Sequence, residues 1–298
     1  MSDTIESLRR KIESAGKIGA VVKTMKAIAA SNINQFEMAV HSLGDYYRTI
    51  TLGFIAYFSQ MRINIINAKQ NKNRNKTIRV LVVGSDIGLV GQFNEKLVDF
   101  VMQSLNDIKG KKEIWCVGER IQSRLNDNGL NTTKLFTVPG SVNYITPLVG
   151  DILIQNEKDY FKNDENNEFY IFHNSPKHGR GYEQISQRLL PFDDKWLKEI
   201  EEHKWPTNNI PQVAGEIQST LSALIREYLF VSLFRVCAES LAAENASRLE
   251  AMQRAEKNID ELLEDLKCKF NRMRQDSIDE EIFDVIAGFE ALKKDNQK

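Results

Sequence analysis

The residues best placed to do chemistry lie in one turn. The apolar run Ile78-Arg-Val-Leu-Val-Val83 opens onto Gly84-Ser85-Asp86-Ile87-Gly88-Leu89-Val90-Gly91, and a helical pattern follows from Asn94. Strand, glycine-rich turn and helix in that order can cradle a phosphate. The helix start offers free backbone N–H groups, and glycines let the backbone approach the ligand. The spacing here is Gly-x3-Gly-x2-Gly, which is neither GxGxxG nor a P-loop, and no Gly-Lys-Ser/Thr follows. The turn reads mainly as structural, with a nucleotide-binding α/β enzyme as the lesser alternative.

Acid–base chemistry would need paired carboxylates. Glu183, Asp193, Asp194 and Glu201–Glu202 are available, but all fall on expected surface or linker, where solvated carboxylates are the rule. Three widely spaced cysteines (Cys116, Cys237, Cys268) form no CxxC pair, and four scattered histidines form no metal cluster. No nucleophile–base arrangement emerges. The expectation is a non-catalytic chain with no cofactor and no metal.

Composition narrows the partners. A net charge of −1 argues against a dedicated nucleic-acid binder. Unpaired cysteines suit a reducing compartment. No stretch approaches the ~20 apolar residues that span a bilayer, and the first residues resemble neither a signal nor a transit peptide. A cytoplasmic protein is expected, reaching a membrane only through partners.

The elements that position everything else are at the two ends. No proline occurs before Pro139 or after Pro211, so both arms lack the strongest helix breaker. In the first arm apolar residues recur in steps of three and four: Ile5, Leu8, Ile12, Ala15, Ile18, Val22, Met25, Ala29. After a small phase shift the series resumes at Phe36, Val40, Leu43, Tyr47, Ile50, Phe54, Tyr57 and Met61. This predicts one helix of about 85 Å with a coiled-coil seam. From Val213 the pattern returns through Leu221, Leu224, Tyr228, Val231 and Phe234. It continues at Leu241, Leu249, Met252, Ile259, Leu262, Leu266, Phe270 and Met273, then at Ile282, Val285, Phe289 and Leu292. That predicts roughly 120 Å of helix, pairing antiparallel with the first. The longer helix must leave its tail, 282–292, to be sheathed by something else, and other subunits are the expected sheath.

Between the arms, the polar stretch 69–76 marks a boundary. Strands at 78–83 and 113–117, helices at 94–105 and 119–126, a helix around 148–160, a strand at 169–173 and a last strand at 182–190 suggest an α/β unit with parallel strands. Residues 193–212 read as a charged linker. The fold class is thus a long antiparallel coiled coil plus a central α/β domain with a small, mostly parallel sheet. Its parts are an N-terminal helix (1–68), a central domain (77–192), the linker (193–212) and a C-terminal helix (213–298).

Three segments together resemble the γ subunit of the rotary F-type ATP synthases. Ile18-Gly-Ala-Val-Val-Lys23-Thr-Met25-Lys26-Ala-Ile-Ala-Ala30 resembles that family's first-helix signature. Gly84-Ser-Asp-Ile-Gly-Leu-Val-Gly-Gln-Phe-Asn94 resembles its Ser-Asp-x-Gly-Leu-Cys-Gly-x-Phe-Asn turn. Ala243-Glu-Asn-Ala-Ser-Arg-Leu-Glu-Ala-Met252 and Phe270-Asn-Arg-Met-Arg-Gln275 resemble its C-terminal signature, closing on Gly288-Phe-Glu-Ala-Leu292.

The resemblance implies a central-stalk rotor subunit coupling ion flow to ATP synthesis or hydrolysis in a ring of α and β subunits. Its other partners would be an ε-type subunit and the membrane c-ring, at the cytoplasmic face of the cell membrane. It also implies that Lys23, Met25, Lys26, Arg274 and Gln275 contact the surrounding ring. Some positions depart from the pattern: Val90 replaces the usual cysteine, Ser31-Asn-Ile-Asn-Gln35 is neutral where a basic stretch is common, and Asp279 replaces threonine. His203-Lys-Trp-Pro206 lacks the glutamate of the family's foot. A coiled-coil scaffold or adaptor is the alternative of a different class; it would form a stable homodimer through the exposed C-terminal seam.

Overall fold

The computed structural model describes residues 4–61, 77–108, 110–160, 168–177, 181–192, 194–202, 205–209, 211–214 and 216–295. The stretch 69–76, Asp193 and the pair His203–Lys204 lie outside the described residues. By internal packing the chain divides into two compact units, Met1–Ile28 with Glu250–Lys298, and Ala29–Leu249.

Helix α1 (Ile5–Met61) starts at a reciprocal cap. The Ser7 amide donates to Thr4 Oγ1 at 3.2 Å and the Thr4 amide donates to Ser7 Oγ at 3.0 Å, satisfying donors that a helix start leaves orphaned. Strand β1 (Thr77–Val83) leads through the glycine turn to α2 (Phe93–Asn106). Then come β2 (Lys111–Val117), α3 (Glu119–Asp127), β3 (Thr132–Phe136), α4 (Ile145–Tyr160), β4 (Glu168–Pro176), β5 (Tyr182–Leu190), α5 (Asp194–Glu202) and α6 (Ile217–Asp295).

The strands form one sheet in the order β3-β2-β1-β4-β5. The first four run parallel, and β5 pairs antiparallel with β4. The fold class expected from sequence is therefore present, with a fifth strand added. β3 has no counterpart among the expected strands: it is short, polar (Thr-Thr-Lys-Leu-Phe) and at the sheet edge. The segment 193–212, expected as linker, contains the helix α5.

Alternation along β1 builds the core on both sheet faces. Ile78, Val80 and Val82 point to one side, against Leu97, Val98 and Val101 of α2 and Ile121 and Leu125 of α3. Leu81 and Val83 point to the other, with Val149 and Ile152 of α4 and Val231, Val236 and Leu241 of α6. A strand buried on both faces reads as a near-continuous apolar run, which is how β1 appears in the sequence apart from the buried Arg79.

At the far end of this second core Phe54 of α1 is fully buried. Its ring lies edge-on to Trp196 at 5.2 Å, to Phe192 at 5.5 Å and to Tyr228 at 6.2 Å. Edge-to-face pairs of this kind each add about 0.5–1.5 kcal/mol beyond area burial. Trp196 also donates its indole N–H to Tyr47 Oη at 3.3 Å, so α5 is fastened to α1 by both packing and a hydrogen bond.

In the first unit α1 and α6 run antiparallel. A side chain at Gly19 would touch Ile259, while Lys26 reaches Glu256, so the index falls on α6 as it rises on α1. The seam differs from the expected one at two places. Ile18 is 56 % exposed and Gly19 takes its place; Leu262 is 49 % exposed and the half-buried Leu263 takes its place. With no side chain, Gly19 lets the helices approach until a Cβ would sit 3.4 Å from Ile259 Cγ2. The expected phase shift between Ala29 and Phe36 is absent as well. In the second unit Asn32 occupies the intervening seam position and donates to Asn245 Oδ1 at 3.4 Å.

Candidate functional site

The glycine turn comes first, since phosphate chemistry would have to happen there. The Ser85 amide donates to Asn94 Oδ1 at 3.2 Å, and Asn94 Nδ2 donates back to Ser85 Oγ at 2.8 Å. Ser85 Oγ in turn donates to the Ile87 carbonyl at 3.0 Å. Asp86 accepts from the Glu119 amide at 2.9 Å and from the Val138 amide at 3.1 Å, so its carboxylate ties together three loops at the ends of the parallel strands. The side chains of Ser85, Asp86 and Asn94 are thus spent on holding the turn to its neighbours. Val90, where the family pattern has cysteine, is buried with Phe93 and Ala243.

Gly84 is required by space. A Cβ there would overlap the side chain of Ile121 on α3, whereas a Cβ at Gly88 would meet nothing. Gly84→Ala is expected to destabilise the chain by about 1–3 kcal/mol, and Gly88→Ala by no more than about 0.5 kcal/mol. Urea titrations of both variants check this; equal midpoints would contradict it.

The turn also grips α6. Ser247 Oγ donates to the Val90 carbonyl at 2.6 Å and Ser240 Oγ donates to the Val83 carbonyl at 3.2 Å, both buried. One strand away, His173 Nε2 on β4 lies 3.0 Å from Glu239 Oε2, and Arg235 Nε donates to Glu239 Oε1 at 2.7 Å. Burial pushes the Glu239 carboxyl up, but hydrogen bonds from His173 and Arg235 and the attraction of their charges outweigh it and hold the group at about 2. Next along the helix, burial raises the Glu244 carboxyl against the opposing pull of Arg248, and the nearby Asp86 adds to the rise. A run of polar residues on one face of α6 thus binds the helix to the sheet.

The residues expected to meet a partner fall in two places, both in the first unit. On α1, Lys23 is exposed, Met25 is half-buried, and Lys26 extends its ammonium to Glu256 Oε2 at 2.5 Å. That hydrogen bond lowers the Glu256 carboxyl below its ordinary value, outweighing desolvation, with a lesser attraction from Lys23. On α6, Arg274 and Gln275 are exposed. They lie about 27 Å along the helix from Glu256 at 1.5 Å per residue, so the two groups form no single site. The register carries the start of α1 to the neighbourhood of Met273, and α6 runs on to Asp295. Along that extension Ile278, Ile282, Phe283, Val285 and Ile286 are exposed, Phe283 by 69 % and Val285 by 73 %. Among the described residues no helix is long and apolar enough to cross a membrane.

Sequence reasoning passed over Glu256, His173, Glu239, Ser240 and Ser247. For Glu256 a signal existed, because it stands four residues after Met252 and three before Ile259, on the seam itself.

A family model described as ATP synthase matches residues 4–292. The chain belongs to the ATP synthase family. Curated relatives named ATP synthase gamma chain span nearly its full length. That of Campylobacter concisus is 24% identical, covering 97% of this chain and 99% of its own, and that of Lachnoclostridium phytofermentans is 25% identical with the same coverage. The fold is also that of a chain from the central stalk and c-ring of the Tetrahymena thermophila mitochondrial ATP synthase. That structure has TM-score 0.57 and 20% identity, and the match covers 79% of this chain and 99% of that one. As a γ chain of the ATP synthase family this is a non-catalytic rotor subunit, and the engaged glycine turn accords with a turn that holds helices.

Proposed function

We propose that this subunit couples transmembrane ion flow to ATP synthesis or hydrolysis by turning inside a ring of α and β subunits, with an ε-type subunit and the membrane c-ring at its other end. The observation that carries the reading is the α6 extension, where five large apolar side chains stand exposed beyond the start of α1. A sustained apolar helix face needs a sheath, and a surrounding ring of subunits supplies one. Asymmetry of the subunit then favours different conformations of successive catalytic sites, a coupling that consists of differences in interaction free energy between states.

In this reading residues 1–68 and 213–298 form the shaft and 77–192 the foot, joined by 193–212, which carries α5. Lys23 and Met25 on α1, and Arg274 and Gln275 on α6, meet the ring. Arg274 and Gln275 suit directed hydrogen bonds to a loop of the ring. Lys26 stands beside them in this proposal, with its ammonium paired to Glu256. The working location is the cytoplasmic face of the cell membrane, held there peripherally by partners.

Co-expression with α and β subunits from the same organism, purification through a tag on β, and an ATPase assay test the proposal. One copy of this chain per three β, with ATPase activity dependent on it, is the expected result. A stable homodimer that never joins the ring would overturn it and favour a coiled-coil scaffold.

A further inference from the structure

We infer, resting on the ring proposed for this subunit, that the exposed end of α6 lies in an apolar sleeve rimmed by lysine and arginine side chains of the α and β subunits, and that charge as well as apolar contact seats it there. Two properties coincide on this stretch. Five large apolar side chains between Ile278 and Ile286 stand exposed, and from Gln275 to Ile286 there are five carboxylates and no lysine or arginine. The whole chain has a net charge of only −1, so acid is concentrated here. Asp279, Glu280, Glu281 and Asp284 are all exposed, and none has a basic residue within four positions on either side. Among the described residues no salt bridge reaches them.

With ~3.6 residues per turn, Ile278, Ile282, Val285 and Ile286 share a stripe about 100° wide. Asp279 borders it on one side and Glu281 on the other, while Glu280 and Asp284 lie on the back. Phe283 falls outside the stripe, beyond Asp279, and is 69 % exposed, so a single groove would leave it in water and an encircling sleeve covers it. Covering the stripe strips water from the bordering Asp279 and Glu281. A carboxylate that loses water is stable only when a cation or hydrogen-bond donor replaces it, so the wall that meets these two must be basic. The carboxylates also repel one another: Glu280 stands four residues after Asp276 and four before Asp284, a spacing at which like charges destabilise a helix. A cationic wall relieves that repulsion as the helix enters. The same charge disfavours other occupants. Two copies of this chain joined through the stripe would set carboxylates against carboxylates, and an anionic lipid surface would be repelled.

The test uses the full chain and its complex. Parent and variant, carrying different tags, are co-expressed with the α and β subunits of the same organism. Complexes are recovered through a tag on β, and the ratio of the two chains in them is compared with the ratio in the whole extract. Asp279→Asn, Glu280→Gln, Glu281→Gln and Asp284→Asn together remove the charge and keep the shape; they should lower incorporation about five-fold relative to the parent. Asp279→Lys with Glu281→Lys sets cation against cation at the rim and should lower it further, by about ten-fold. Circular dichroism of each chain alone checks the helix. The neutral variant should keep it, since repulsion is removed, and it decides the matter if the reversed one does not fold. Equal incorporation of parent and neutral variant overturns the inference and leaves the rotor reading intact; preferred incorporation of the neutral variant overturns it as well. A parent chain that never enters the ring refutes the rotor reading, and this inference with it. Sedimentation of the neutral chain alone identifies the other role: self-association together with normal incorporation would show that the carboxylates only keep copies apart.

Discussion

Proline in place of Ala243 is expected to produce the largest loss of function of any single substitution outside the partner-facing residues. Ala243 lies in the interior of α6, fully buried against Val90 and Phe93. Proline there removes the amide bonded to the carbonyl of residue 239, and its ring collides with that carbonyl, a cost of about 3 kcal/mol or more with a kink. Overpacking against the glycine turn adds about 1–3 kcal/mol. In a reconstituted complex ATP turnover should persist while ATP-driven ion pumping collapses, with assembly reduced less than coupling. Measuring turnover and pumping on the same vesicles decides the matter. Full pumping by a complex whose helix is demonstrably kinked would mean that torque does not pass through a stiff α6.

The second large effect concerns Glu239. Its replacement by alanine strands His173, which is 2 % exposed and whose Nδ1 has no hydrogen-bond partner. Removing one member of a buried pair costs about 3 kcal/mol, so the urea midpoint should fall sharply. Glu239→Gln keeps an acceptor and should cost less.

The pH dependence has a definite sign. The folded carboxyl sits at about 2, below its ordinary 4.5. The stabilisation is therefore fully present above about pH 4.5 and is lost as pH falls from there towards 2, by at most about 3 kcal/mol. Glu239→Gln should flatten that part of the stability profile. A profile identical to the parent between pH 5 and 2.5 would show that the pair contributes nothing.

Long helices and the central strand were legible in the sequence because each depends on a period the chain itself carries. Residues 5–61 are proline-free with apolar steps of three and four, and β1 is an apolar run broken only by Arg79 after its first isoleucine. What escaped depends on distant neighbours. β3 is five residues with only alternate positions half-buried, too short and polar to stand out from a loop until β2 pairs with it. α5 is held by Trp196 and Ile200, two of the three apolar residues in a charged stretch, and the core that receives them includes residues of α1 and α6.

Each seam error is a displacement by one residue. At 18–19 and 262–263 an apolar residue neighbours the true seam position, and a pattern that prefers bulk selects Ile18 over Gly19. The facing helix reverses the choice, because close approach favours the residue with no side chain. At the candidate site the limit is similar: lysine and glutamate 230 positions apart become partners only once the register is known. Nor does the chain carry the surfaces of the subunits that Lys23, Met25, Arg274 and Gln275 are proposed to meet.

The two serine hydrogen bonds from α6 to the ends of the glycine turn bear on what kind of force this joint can carry. Apolar packing has no preferred direction, so a helix held only by leucine and valine can roll about its own axis while keeping most of its buried area. Ser240 and Ser247 are two helical turns apart and point the same way, and Glu239 beside them is fixed by His173. Hydrogen bonds weaken steeply when their angle is spoiled. A roll of α6 against the sheet would misalign all three together, so twisting is resisted by bonds and not by grease.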